Sequence, residues 1–175
     1  MSTMVETREK IAAGLEQAFA RNGFTELGVD DLREATQVSL RTLYKYCPSR
    51  EDMILLALQR RHERYLAHLF DGLPEAPEQT LEALFDRIGA WMATNAPAGC
   101  MFHGAIAAHP DSASIRTTLE RHKTEVADRM ALVTGLPSAR DDLTLLHEGL
   151  TQSWPLIGER AVSRAKALAH RLLEP

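Results

Sequence analysis

The stretch VDDLREATQVSLRTLYKYCPSRED, residues 29–52, decides how this 175-residue chain folds. It reads as a short helix, a tight turn, a second short helix and a capped start into a longer one. Val29, Leu32 and Ala35 fall on one face of the first helix, Val38 lies in the turn, and Leu43 points inward from the second. Two short helices sharing a small apolar core across a turn make a helix-turn-helix. The second helix, residues 39–46, offers Ser39, Leu40, Arg41, Thr42, Tyr44, Lys45 and Tyr46 as its outward face. Cations, hydroxyls and aromatics in that mixture suit phosphate oxygens and base edges in the major groove of double-stranded DNA. Pro48 stops this helix, and Ser49 with Asp52 makes a capping box for the next.

Within that face the candidate roles separate. Arg41 and Thr42 are placed to read base edges, arginine in bidentate contact with guanine being the commonest specific pair. Tyr44, Lys45, Tyr46 and Arg50 are candidates for phosphate contacts. For the two tyrosines the alternative is packing within the small domain.

Upstream, Ala18-Phe19 and Gly23-Phe24 close an earlier helix carrying Ile11 and Leu15 at helical spacing, with Gly23 as the left-handed terminal residue. The helix end, the helix-turn-helix, the run Thr42-Leu43-Tyr44-Lys45-Tyr46 and the cap Pro48-Ser49-Arg50-Glu51 come in an order that resembles the DNA-binding domain of the TetR family of transcriptional regulators. The resemblance covers the first third of the chain. It implies that Thr42, Tyr44, Lys45, Tyr46 and Arg50 lie at the DNA surface. It further implies a helical effector-binding domain behind the reading head, and a homodimer formed through the last two helices (about residues 141–173). The implied function is a repressor released from a palindromic operator by a small molecule; an activator of the same fold is the alternative. Two positions depart from the family pattern. Gln37 stands where the turn commonly has glycine, and a left-handed backbone there costs a non-glycine residue about 1 kcal/mol. Cys47 stands where an aromatic residue is usual, and reads as a small buried hydrophobe.

Composition is compatible with this. The net charge of −4 is unevenly spread: residues 37–64 carry six Lys/Arg against three Asp/Glu, and residues 65–175 carry ten against fourteen. A basic stripe on an otherwise acidic chain keeps the acidic part away from phosphates. The alternative is an ordinary mixed-charge helix surface. Cys47 and Cys100 are far apart with no secretory segment ahead of them, so a reducing cytoplasm is the default, and no apolar run approaches membrane-spanning length.

Taken in order, the chain is expected to be all-α, with about nine helices. Residues 1–50 form a three-helix reading head with residues 1–7 frayed, residues 50–71 a connector helix, and residues 72–175 a helical effector-binding and dimerisation bundle. Arg60, Arg61, His62 and Arg64 read as a solvated face of the connector. The Pro/Gly breaks at residues 71–77, 96–99, 109–112 and 134–137 separate helices over residues 78–95, 101–108, 112–133, 141–156 and 159–173. Trp91, Met92, Phe102, His103, Met130, His147 and Trp154 are candidates for an effector pocket, or else core. Cys100, after a Gly break and one turn from His103, is a candidate redox thiol or a structural cysteine. Cys100, His103 and His109 lack structural zinc spacing. No phosphate-binding glycine loop, HExxH or nucleophile elbow occurs, so no cofactor and no enzymatic activity are expected, and a small thiol- or metal-dependent all-α enzyme is the remote alternative.

Overall fold

The computed structural model describes residues 2–174. These residues form nine α-helices and no strand: α1 Ser2–Asn22, α2 Val29–Thr36, α3 Leu40–Tyr46, α4 Arg50–Phe70, α5 Pro77–Asn95, α6 Met101–Ala108, α7 Ala113–Thr134, α8 Arg140–Ile157 and α9 Arg160–Ala169. One-turn 3-10 helices at Pro137–Ala139 and His170–Leu172 complete them. The punctuation follows local chemistry. Pro77 opens α5 at the position where a missing N–H is harmless. Ser112 Oγ accepts the Ile115 N–H at the start of α7, and Gly135, at φ 68°, closes that helix. The expectation of frayed residues 1–7 is corrected: α1 begins at Ser2, and Thr7 Oγ1 donates to the Thr3 carbonyl one turn back. Met1 lies outside the described residues.

The chain divides into two compact units, Met1–Glu63 with Met101–Leu119, and Arg64–Cys100 with Glu120–Pro175. The division differs from the expected partition at residues 50, 71 and 72. It falls inside α4, and α6 with the start of α7 groups with the amino-terminal segment.

In the first unit, Ile11, Leu15 and Phe19 of α1, Leu32 of α2, Leu43 of α3 and Met53 and Ala57 of α4 are fully or almost fully buried. Phe24, after the α1 stop, stacks on Phe19 with ring centroids 4.9 Å apart. α1 comes so close to the end of α2 that a Cβ on Gly14 would stand 2.4 Å from the Ala35 carbonyl oxygen. The contact on this side is therefore backbone, and the Ala35 side chain is exposed rather than inward. The expectation of a solvated face on α4 holds for the exposed Arg64 and is corrected for the rest. Arg61 and His62 are buried, and the buried Glu16 carboxylate of α1 accepts from Arg60 (2.5 Å) and Arg61 (3.2 Å), while Arg60 also reaches Glu9 at 2.6 Å. The carboxylate that draws these cations inward lies over forty residues away in sequence, where helical periodicity carries no trace of it.

The second unit has its own core, with Leu81, Leu84, Phe85 and Ile88 of α5 buried with Leu143 and Leu150 of α8 and Ala161, Ala165 and Ala169 of α9. Small residues let α9 lie close on α5, and a Cβ on Gly89 would meet Val162 Cγ2 at 2.5 Å. Lys166 fastens the pair from outside through Asp86 (2.6 Å) and Glu82 (2.7 Å), with His170 adding a hydrogen bond to Glu82.

Candidate nucleic-acid interface

The site is built from the turn between α2 and α3. The Gly28 N–H donates to Asp31 Oδ2 at 2.7 Å and fixes the start of α2. The helix ends on Gln37, whose backbone is left-handed at φ 53° and ψ 39°, the conformation a tight helix-turn-helix requires. The strain is held in place: the Gln37 N–H donates to Glu34 O at 3.1 Å, and Lys10 Nζ of α1 donates to Gln37 O at 3.1 Å. Ser39 then caps α3, its Oγ accepting the Thr42 N–H at 3.1 Å and lying 2.8 Å from Thr42 Oγ1. Leu43 and Cys47 anchor α3 to the core. Burial pushes the Cys47 thiol up to about 11, so it stays protonated near neutral pH and acts as a small apolar side chain.

With Leu43 fixed inward, the spacing of four between Leu40 and Tyr44, and between Arg41 and Lys45, lays these four on the outer face, and all four are exposed. Leu40 and Tyr44 keep 38% and 42% of their surface open. Thr42 and Tyr46, also four apart, are half-buried together on one flank of that face. The Thr42 hydroxyl is engaged with Ser39, the Tyr46 hydroxyl is 3.5 Å from the Met4 carbonyl, and Lys45 Nζ stands 5.9 Å from the Tyr46 ring centroid.

Arg50 has different work. Its guanidinium donates to the carbonyls of Leu27 (2.7 Å) and Phe24 (2.6 Å) and lies over the Phe19 ring. It clamps the loop between α1 and α2 onto the first turn of α4, whose own start is closed by the Ser49–Asp52 capping box. Its two terminal nitrogens thus serve the fold rather than a free phosphate-binding position. The signal missed in the sequence is the loop itself, which offers bare carbonyls that need a donor.

No protein-family model and no curated protein sequence matches the chain. Solved structures do. A TetR-family transcriptional regulator from Streptomyces coelicolor superposes with a TM-score of 0.81 at 22% identity, covering 97% of this chain and 95% of that one. The fold is that of the TetR-family regulators. A TetR transcription regulator from Haloarcula marismortui gives 0.80 at 14% identity, with 96% of each chain covered. Escherichia coli NemR in its reduced form gives 0.77 at 19%, covering 95% of this chain and 97% of that one.

Of the candidate effector residues, Trp91, Met92, Met130, His147 and Trp154 fall in the second unit and Phe102 and His103 in the first. Trp91, Met92 and Met130 are core residues of the second unit. Trp91 packs edge-on to Tyr65 with centroids 5.1 Å apart. His147 is buried, sharing a 2.7 Å hydrogen bond with the Tyr65 hydroxyl while its Nδ1 faces Glu148 Oε1 at 3.2 Å. Trp154 is half-buried and lines a groove between α5 and α9. Phe102 and His103, on α6, belong to the first unit, Phe102 buried and His103 half-buried. Both cysteines are free thiols. Cys100 is half-buried with Lys123 Nζ 3.7 Å from its Sγ, and that ammonium is also paired with Glu148 at 2.6 Å. Among the described residues no three His, Cys, Asp or Glu side chains are grouped as metal ligands.

Proposed function

We propose that the protein is a homodimeric DNA-binding transcriptional regulator, a repressor whose α3 enters the major groove and whose operator is released when a small molecule binds the second unit. The observation that carries the reading is the outer face of α3. Leu40, Arg41, Tyr44 and Lys45 stand exposed together on a seven-residue helix held rigidly by a Ser39 cap, a left-handed Gln37 and a fully buried Leu43. In this reading Arg41 takes a base edge near the helix start, Thr42 contributes from its capped position, and Lys45, Tyr44 and Tyr46 hold phosphates. Arg50 supports them by fixing the loop behind.

The dimer reading rests on α8 and α9. Leu145, Gly149, Gln152 and Leu156, spaced four, three and four apart, form one stripe opposite the buried side of α8. Leu145 and Leu156 are 71% and 81% exposed, Leu168 of α9 is half exposed, and the space over Gly149 is open. Such a stripe fits a two-fold partner, and two reading heads match two half-sites one helical turn apart. Effector release needs differential affinity only: the ligand binds the DNA-incompetent state better, and DNA weakens ligand binding by the same factor. The buried Tyr65, Trp91 and His147 group is proposed as the polar and aromatic wall that senses it.

The test is selection of duplexes from a random library by the purified protein. Enrichment of a palindrome, with Thr42→Ala or Arg41→Ala relaxing single positions and Leu145→Glu with Leu156→Glu giving a monomer in light scattering, supports the reading. No enriched sequence from ligand-stripped, refolded protein refutes it.

A further inference from the structure

The groove between α5 and α9 is not used by any part of the reading above. It is an open groove of about 360 Å³, within the range of small-molecule sites. One wall is the indole of Trp154, and Ala90, Ala93 and Val162 give the groove an apolar lining. The floor is Gly89, where any Cβ would collide with Val162. The groove face of α9, carrying Glu159, Val162, Ser163 and Lys166, lies more than a quarter-turn from its exposed Arg164 and Leu168. The groove is therefore distinct from the stripe proposed for dimerisation.

Its charge is one-sided. Asp86 and Glu159 line it with a single cation, Lys166, whose ammonium is already shared between Asp86 and Glu82. Glu159 has no ion-pair partner among the described residues. An incoming anion would have to displace Asp86 from Lys166 and face Glu159, whereas an incoming cation meets a carboxylate free of any ion pair beside a half-buried indole. We propose that this groove binds an organic ammonium ion with an apolar body, the head group between Glu159 and Asp86 and the body along Ala90 and Ala93 against Trp154. Charge pairing supplies the preference for the head, and desolvation of the alanines, Val162 and the indole face supplies the rest.

The test uses the full chain and needs no DNA, so it stands or fails apart from the regulator reading. Benzyltrimethylammonium is titrated while amide and indole N–H signals are followed by NMR, with neutral benzyl alcohol and anionic phenylacetate in parallel. The expected result is saturable shifts confined to residues 86–93 and 159–166 and to the Trp154 indole, strongest for the cation and weakest for the anion. Glu159→Gln should weaken the cation about two- to fivefold. Ala93→Phe, at an exposed position, should abolish binding while the thermal midpoint is kept. No saturation by roughly 10 mM, equal binding of phenylacetate, or indifference to Glu159→Gln overturns the proposal. So does conversion of a dimer to a monomer by Ala93→Phe, which would assign the groove to a second copy of the chain.

Discussion

Replacing Gly14 by alanine sets two physical effects against each other. Helix propensity alone favours the change by about 0.8–1 kcal/mol, because glycine in mid-helix has excess freedom to lose. The structure opposes it. The new Cβ would lie 2.4 Å from Ala35 O and 2.7 Å from Thr36 Cα, both backbone atoms of the last turn of α2, so no side chain can swing aside. Relief requires α1 and α2 to part by roughly an ångström in a close-packed core, at a cost near the top of the usual 1–3 kcal/mol for overpacking. The net expectation is a loss of about 2 kcal/mol. With a urea slope of about 2 kcal/mol per molar, the unfolding midpoint should fall by about 1 M. A midpoint that stays or rises would show that propensity wins, and that the close approach of α1 to the helix-turn-helix is wrong. The consequence for function is direct, since Thr36 is followed by Gln37, the residue that sets the turn.

Three further perturbations probe other parts of the structure. Glu16→Ala takes a buried carboxylate from Arg60 and Arg61 and should cost about 3–5 kcal/mol in urea unfolding, whereas a loss under about 1 kcal/mol would mean that the network contributes little. Gln37→Gly should stabilise by about 0.5–1 kcal/mol by removing left-handed strain, and Gln37→Val should destabilise; the reverse order would contradict the turn geometry. Hydrogen bonds from Lys166 and His170 hold the Glu82 carboxyl below the usual carboxylate range. A lowered folded value gives stability that is present above the ordinary pKa near 4.3 and lost as the pH falls through the folded one. The thermal midpoint should therefore drop on acidification below about pH 4, less steeply in high salt because Glu82 is 38% exposed. A Glu82→Gln variant with an identical acid profile would exclude this contribution.

What was legible in the sequence was local. Gly23, the Ser49–Asp52 box, Pro77 and Gly135 mark helix ends through bonds made within a few residues, so the helix order could be read from residue types alone. Long-range partners could not. Arg50 looks like a phosphate anchor until the Phe24 and Leu27 carbonyls are seen to need it, and Arg61 looks solvated until Glu16 appears beneath it. The effector residues were least legible. A buried Trp91 or Met130 at helical spacing has the same periodicity whether it faces a ligand or other side chains, and only packing distinguishes the two.

The central claim, that the outer face of α3 meets DNA phosphates and bases, is tested most directly by the salt dependence of duplex binding for the native chain and Lys45→Ala. With the palindrome recovered by selection, the logarithm of affinity should fall linearly with the logarithm of salt concentration. Lys45→Ala should weaken all sequences alike and reduce that slope by about one. Binding that is indifferent to salt, or an unchanged slope in Lys45→Ala, would contradict the account.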